Sequence, residues 1–227
     1  MDDDIQKLIK LTTIVKVDDN VSRKTVFGDE HCVSRFQKNQ GQQIILSHLE
    51  NNWNNIWKSL GDKWDKKMQN YRFLYDSFRL FYFSFEQLRF NKVAGITEIY
   101  GNKNWRQRFH FHELAGVGVY GMYFHGNKCI KLLETLKLID PTHRDFCNKF
   151  SETRNKLIEH NYNPKDLNLQ IDPSIWSLAS TDSFLEIHIH LPDTEERAYD
   201  AYVDYYEDYY RLERIITDII RAEGVNY

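Results

Sequence analysis

The strongest constraint on the fold is a run of large apolar residues that repeats at alternating spacings of four and three. The repeat consists of Trp64, Met68, Tyr71, Tyr75, Phe78, Tyr82 and Phe85, and Leu74, Phe81 and Leu88 widen it. Side chains three and four positions apart share one face of an α-helix, so the pattern predicts a long helix with one buried face. Because 15% of the 227 residues are aromatic, the core is predicted to be built largely from rings.

Similar spacing predicts further helices, at residues 42–60, 105–137 and about 140–161. A last helix is predicted to begin at a capping box of Asp193 and Glu196 and to be closed by Gly224. Glycines and polar side chains in 91–104 predict a loop. The glycine-rich middle of 105–137 indicates either that two backbones approach closely there or that the helix breaks near Gly126.

Two short segments of alternating hydrophobicity separate the last two helices and predict a small β-hairpin. They carry Leu167, Leu169 and Ile171, then Leu185, Ile187, Ile189 and Leu191. Residues 11–17 are a possible strand, and the rest of 1–41 has little pattern. The chain is therefore predicted to be mainly α, a bundle of about five long helices with a hairpin between the last two. Residues 42–227 are predicted to form a single domain.

The net charge limits the kinds of partner that the chain can bind, and its cysteines indicate the cellular compartment. The formal net charge of −3 excludes a strong field over the whole molecule, so any nucleic-acid site must be local. Three cysteines without metal-type spacing favour reduced thiols. The acidic start and the lack of a long uncharged apolar run predict a cytoplasmic protein with no membrane contact. No metal or cofactor is predicted.

The helix at 140–161 is the best candidate for chemistry. Asp140 and Pro141 form a strong start signal, and Asn163 with Pro164 is a matching stop. On a helical wheel Phe146, Phe150, Thr153 and Leu157 share one stripe, whereas Asp145, Lys149, Glu152, Lys156 and Glu159 lie opposite. Arg154 and His160 flank the apolar stripe instead of joining the other charges. Both are therefore predicted to face a packed or interfacial environment.

An Arg and a His in such a place suit phosphate chemistry. A guanidinium group there needs an anionic partner, because a buried, unpaired charge is costly. Arginine neutralises charge that develops on a phosphoryl group, and histidine exchanges protons near neutral pH. These two residue types predict an anion-binding site capable of acid-base catalysis.

The segment from Arg154 to Tyr162 resembles the signature of the HEPN superfamily. An Arg, a polar residue in Asn155 and a His after five intervening residues match that pattern, and His160-Asn161-Tyr162 is similar to the extended motif of HEPN toxins. The resemblance implies a homodimer with a shared cleft and metal-independent RNA cleavage, as in a toxin or defence effector. It implies catalysis by Arg154 and His160 with Asn155 orienting them. Asn161 and Tyr162 would bind substrate, or Tyr162 would be modified by a cognate nucleotidyltransferase or antitoxin.

Several other interpretations stay open. Arg154 and His160 could be an ion-pairing Arg and a His favoured by a helix C-terminus. The chain could also be a non-catalytic HEPN-like module that binds a nucleotide or a protein, or a helical interaction protein. The remaining polar clusters are predicted to be solvated faces or core: His110 with His112, His188 with His190, the basic residues around Trp105, and the Tyr-rich run at 199–210. Asp204, Glu207 and Asp208 lie on the alternate face of that run, where their charges would repel phosphate.

Overall fold

The computed structural model describes residues 13–16, 51, 53–58, 66–101, 105–155, 170–171, 185–190 and 197–225, and it is mainly helical. The long helices are α1 (Lys66–Gly101), α2 (Trp105–Leu136) and α4 (Tyr205–Val225), and a short helix, α3 (Arg144–Glu152), follows α2. Residues 53–58 are also helical. The strands are β1 (Thr13–Lys16), β2 (Gln170–Ile171), β3 (Leu185–His190) and β4 (Arg197–Val203). The mainly α class predicted from the sequence is confirmed.

Helices α1 and α2 run antiparallel and pack closely along the glycines of α2. A Cβ atom added at Gly118 would lie 2.7 Å from the Cβ atom of Leu88 and 2.9 Å from its Cα atom. One turn further along α2, a Cβ atom at Gly121 would lie 2.6 Å from the Oγ atom of Ser84. Of the two interpretations of this glycine-rich segment, close approach is confirmed. The predicted break near Gly126 is wrong, because α2 is continuous through that residue.

Replacing Gly118 by Ala is expected to destabilise the protein even though Ala favours helix. The added methyl group would overlap both the side chain and the backbone of Leu88, so α1 and α2 must separate. Overpacking of this kind costs about 1–3 kcal/mol, against a gain of about 1 kcal/mol in helix propensity. Urea unfolding measures the difference. Val117→Ala, at a neighbouring side chain that is 62% exposed, is the matched control. A Gly118→Ala protein as stable as its parent would contradict the close packing.

Aromatic rings form the core between the helices, as predicted. Tyr209 of α4 stacks on Phe85 of α1, with ring centroids 3.7 Å apart, and on Phe81 at 4.8 Å. Tyr123 of α2 packs against Phe150 of α3 at 4.8 Å. All five side chains are at most 2% exposed. Since stacked rings at this depth bury large apolar areas, these contacts fix the positions of α3 and α4 against α1 and α2.

The predicted loop at 91–104 is wrong, because α1 continues to Gly101. Helix propagation adds one backbone hydrogen bond for each residue fixed, so a poor helix former inside a long helix costs only about 1 kcal/mol. Turn-forming composition alone was therefore insufficient to end α1.

The predicted start of the last helix at Asp193 is also wrong. Residues Arg197–Val203 form β4, and the helix begins only at Tyr205. Its true cap is Asp204, whose carboxylate accepts a hydrogen bond from the backbone N–H of Glu207 at 2.9 Å. Asp204 and Glu207 have the same spacing as the predicted pair Asp193 and Glu196. The helix therefore begins at a pair of the predicted type, but at a later position in the chain.

The small hairpin predicted before the last helix is not a separate unit. Its two segments, β2 and β3, pair antiparallel, with Gln170 opposite His190, within a four-stranded antiparallel sheet in the order β1-β4-β3-β2. The central pair is β3 and β4, with Leu185 opposite Val203. Strand β1 pairs with β4, with Thr13 opposite Tyr202, which confirms the possible strand within 11–17. The N-terminal segment thus contributes to the same sheet as the residues preceding α4.

None of the described helices combines the length and the apolar composition that a membrane crossing requires.

Candidate functional site

Helix α3, which leads to the candidate residues, begins where the sequence predicts. Asp140 has extended backbone dihedrals, and its carboxylate accepts a hydrogen bond from the backbone N–H of Thr142 at 2.8 Å. Pro141 follows, and residues Pro141–His143 form a single 3₁₀ turn before α3 starts at Arg144. The hydrogen bonds from Thr142 lower the pKa of the exposed Asp140 carboxyl. The predicted N-cap is confirmed.

The two faces of α3 also follow the prediction. Phe146, Phe150 and Thr153 are buried, whereas Asp145 and Glu152 are exposed. The buried face packs on α2, where the Phe150 ring occupies the space left by the absent side chain of Gly126. A Cβ atom at Gly126 would lie 2.7 Å from the Phe150 ring. The apolar stripe deduced from the helical wheel is therefore the face that docks α3.

At its C-terminal end the helix widens into a π turn at residues 153–155. The backbone N–H of Thr153 still donates to the carbonyl oxygens of Lys149 and Phe150. The Thr153 side chain is fully buried, and its hydroxyl has no hydrogen-bond partner within the described part of the chain. A single π turn inside an α-helix shifts the direction of the following side chains and is frequent at functional sites. Arg154 and Asn155 lie in this turn.

Arg154 and Asn155 interact directly. Nη1 of Arg154 donates a hydrogen bond of 2.7 Å to Oδ1 of Asn155, and both side chains are half-buried. The guanidinium carbon lies 5.4 Å from the centroid of the Phe124 ring of α2. A cation–π contact with an aromatic ring and a hydrogen bond to a neighbouring amide restrict the rotation of a long side chain. The guanidinium group is thus held against α2, away from the exposed face of α3.

Phe124 is at the centre of a cluster on α2 that the sequence analysis did not identify. Nζ of Lys128 lies 4.7 Å from the centroid of its ring. The Tyr120 ring lies 6.1 Å from it with an angle of 12° between the two planes. The signal that could have revealed the cluster is the spacing of four between Tyr120, Phe124 and Lys128, which places them on one helical face.

His160, Asn161 and Tyr162, the other residues of the predicted site, lie outside the described residues. So do Asn163 and Pro164, the predicted stop of the helix. Arg154 and Asn155 are the two predicted site residues that the structure describes, and it brings their side chains into contact.

A second polar pair is buried between α2 and α4. The hydroxyl of Tyr123 donates a hydrogen bond of 2.6 Å to Oδ2 of Asp208. Burial raises the pKa of Asp208 to about 6, and the Tyr123 bond and the charge of Lys149 oppose that rise only in part. Burial also raises the pKa of Tyr123 well above its ordinary value. Asp208, one of the acidic residues that alternate with the tyrosines of this segment, is buried, because its side chain turns toward the hydroxyl of Tyr123.

A cleft of about 520 Å³ lies between the end of α2 and the start of α3. It is lined by Glu134, Lys137, Ile139, Arg144, Cys147 and Asn148. Arg154 and Asn155 are not among these residues. Burial raises the pKa of Cys147 to about 11, which keeps the thiol protonated and unreactive at neutral pH.

The described residues contain no cluster of three or more His, Cys, Asp or Glu side chains with the arrangement of metal ligands. Comparison with known proteins finds no relative: no family model, no curated protein and no solved structure matches the chain.

Proposed function

We propose that the chain is a metal-independent endoribonuclease of the HEPN type, with Arg154, Asn155 and His160 as its catalytic residues. The observation that carries the proposal is the position of Arg154. The Arg154 side chain is half-buried, and its guanidinium group lies 5.4 Å from the centroid of the Phe124 ring and is hydrogen-bonded to Asn155. An arginine with a purely solvated role would extend into water with the other charges of α3.

The environment of Arg154 suits a phosphate in a transition state. A guanidinium group is planar and matches two oxygens of one phosphate, and it keeps its charge at any physiological pH. A group that is already oriented needs little reorganisation when charge develops on the phosphate. Asn155 and Phe124 supply that orientation from two directions, one along α3 and one from α2.

In the proposed reaction the ribose 2′-oxygen attacks the adjacent phosphorus and the bond from phosphorus to the 5′-oxygen breaks. The products are a 2′,3′-cyclic phosphate and a free 5′-hydroxyl group, so the atoms balance without water or a metal. His160 either accepts the proton of the 2′-hydroxyl or gives a proton to the leaving 5′-oxygen. Arg154 stabilises the negative charge on the phosphate oxygens, and Asn155 orients Arg154 or the RNA backbone.

The proposal extends to assembly and biological setting. A homodimer would bring two copies of the motif to one cleft, and Asn161 and Tyr162 would contact the RNA at its edge. Tyr162 would also be the residue that a cognate nucleotidyltransferase modifies to silence a toxin or defence effector in the cytoplasm. This part of the proposal rests on the resemblance of the His160-Asn161-Tyr162 segment to the toxin motif.

The reaction class is tested with one pool of mixed-sequence RNA in two chemical forms. The protein is incubated in EDTA with ordinary RNA and with the same pool carrying 2′-O-methyl riboses. Cleavage of the first pool but not the second is expected, since methylation removes the attacking 2′-hydroxyl group. Cleavage of both pools, or cleavage that EDTA abolishes, would overturn the proposed chemistry. Binding of RNA without any turnover would favour the non-catalytic module instead.

A further inference from the structure

One face of α2 carries a largely exposed stripe, of which the proposed reaction uses only Phe124, the ring beside Arg154. It consists of Val117, Tyr120, Phe124, Lys128 and Lys131, which are spaced by three or four residues and so lie along one side of the helix. We call it the α2 stripe. Val117 is 62% exposed and Tyr120 is 40% exposed, and both lysines are exposed. Apolar and aromatic groups thus occupy one end of the stripe and cations the other.

The middle of the stripe is joined to the candidate catalytic residue. Two cationic groups approach the Phe124 ring, Nζ of Lys128 at 4.7 Å and the guanidinium carbon of Arg154 at 5.4 Å from its centroid. The nearly parallel ring of Tyr120 lies 6.1 Å from it, and Tyr120 is one turn nearer the N-terminus of α2 than Phe124. Aromatic rings with centroids about 4.5–7 Å apart form favourable offset stacks, and a further ring can extend such a stack.

The charge of the surroundings selects an anionic occupant. Between Glu113 and Glu134 the sequence of α2 contains no Asp or Glu, whereas Lys128 and Lys131 fall within that interval. This region of α2 therefore combines flat rings with cations and has no carboxylates. That combination matches a single-stranded nucleic acid, in which bases and phosphates alternate. An acidic peptide would satisfy the cations, but a nucleic acid places a flat base beside every anionic group.

We propose that the α2 stripe binds an unpaired nucleotide of RNA next to the cleaved phosphate, with its base stacked on Tyr120 and its phosphate bound by Lys128. This inference rests on the proposed function, since Arg154 marks the position of the cleaved phosphate. It assigns the enzyme a preference for single-stranded RNA, because a base within a duplex cannot stack on a protein ring.

The test measures binding without cleavage. A fluorescein-labelled, single-stranded 2′-O-methyl RNA is titrated with each protein, and Kd is obtained from fluorescence anisotropy at several salt concentrations. Tyr120→Leu is expected to raise Kd about 5- to 150-fold, the effect of losing one stacked base. Tyr120→Phe keeps the ring and should stay within about twofold of the parent. Lys128→Gln should weaken binding and reduce the slope of log Kd against log salt by about 0.7.

Matched controls come from α1. Phe73→Leu removes an aromatic side chain that is 57% exposed, and Arg79→Gln removes a cation that lies 5.5 Å from the Tyr75 ring. Both should bind the probe as the parent does. Equal binding by Tyr120→Leu and the parent, or equal weakening by Phe73→Leu, would overturn the stripe as a nucleotide site.

The binding and cleavage results separate the two proposals. If binding depends on Tyr120 but the protein does not cleave RNA, the nucleotide site on the α2 stripe is supported and the nuclease activity is overturned. If Tyr120→Leu cleaves RNA at the parent's rate and binds it with the parent's affinity, the nuclease activity is supported and the nucleotide site is overturned. A parent protein that neither binds the probe nor cleaves RNA overturns both.

Discussion

Arg154→Ala is expected to slow RNA cleavage by about 10²–10³-fold, the effect of removing one preorganised group from a developing anion. The reason is the constrained position of the guanidinium group between Asn155 and Phe124. Water that fills the vacated space must reorient as the charge develops. The measurement is the single-turnover rate with saturating RNA in EDTA, which separates the loss of catalysis from any loss of binding.

Two further variants show whether position or charge matters. Arg154→Lys keeps the charge but loses the planar fork, so its rate should fall between those of the parent and Arg154→Ala. Arg144→Ala removes an exposed arginine at the first residue of the same helix and should change the rate less than about threefold. If the Arg144 and Arg154 variants lost activity equally, a general electrostatic effect of α3 would explain the result better than a specific role of Arg154.

The second large effect concerns stability. Asp208→Asn is expected to gain about 2.4 kcal/mol relative to the parent as the pH rises from 4 to 8. The pKa of Asp208 is raised from 3.8 to about 6 in the folded protein, chiefly by burial. The folded state therefore holds the proton more tightly than the unfolded state does. The stability that Asp208 contributes is fully present below pH 3.8 and is lost as the pH rises through 6. Asparagine does not titrate, so the free energy of unfolding of Asp208→Asn does not fall in this way.

Urea unfolding of both proteins at several pH values between 4 and 8 gives this difference, because the other titrating groups cancel between them. The charged and polar groups around Asp208 are Tyr123 on α2, Lys149 on α3, Asp204 at the cap of α4 and Glu207 in its first turn. Asp76→Asn, at an exposed position of α1, is the control and should differ from the parent by about 0.5 kcal/mol or less at every pH. A difference between Asp208→Asn and its parent that stays constant with pH would show that the carboxyl is not buried.

Periodic signals predicted the parts of the fold that depend on a single helix. The spacing of Tyr71, Phe78 and Phe85 correctly identified the buried face of α1, and all three side chains are at most 2% exposed. Asp140 and Pro141 correctly located the start of the segment that leads into α3. Such signals succeed because the cap and the amphipathic face are read from neighbouring residues on one element.

Errors occurred where a distant segment decides between two local signals. The sequence contains two pairs with capping-box spacing, Asp193 with Glu196 and Asp204 with Glu207. The second one is used, because residues Arg197–Val203 pair with both β1 and β3 and so cannot be helical. Sequence periodicity cannot reveal that pairing, since β1 lies far away in the chain. The burial of Asp208 was missed for the same reason: its partner, Tyr123, belongs to α2.

Some features of the candidate site were predicted from the sequence and others were not. The inward position of Arg154 followed from its angle on the helical wheel, and its half-buried side chain agrees with that prediction. Its contact with Phe124 depends on how α3 docks against α2, which the sequence does not reveal. The π turn that carries Arg154 and Asn155 likewise has no recognised sequence signal. The catalytic roles of Arg154, Asn155 and His160 stay a proposal.

The most direct test of that proposal is cleavage of a mixed RNA pool in EDTA by the parent and by His160→Ala, with the product ends identified. The parent is expected to give 2′,3′-cyclic phosphate and 5′-hydroxyl ends, and His160→Ala should be about 10²–10⁴-fold slower. Equal cleavage by the two proteins, or products with 5′-phosphate ends, would contradict a HEPN-type mechanism at this site.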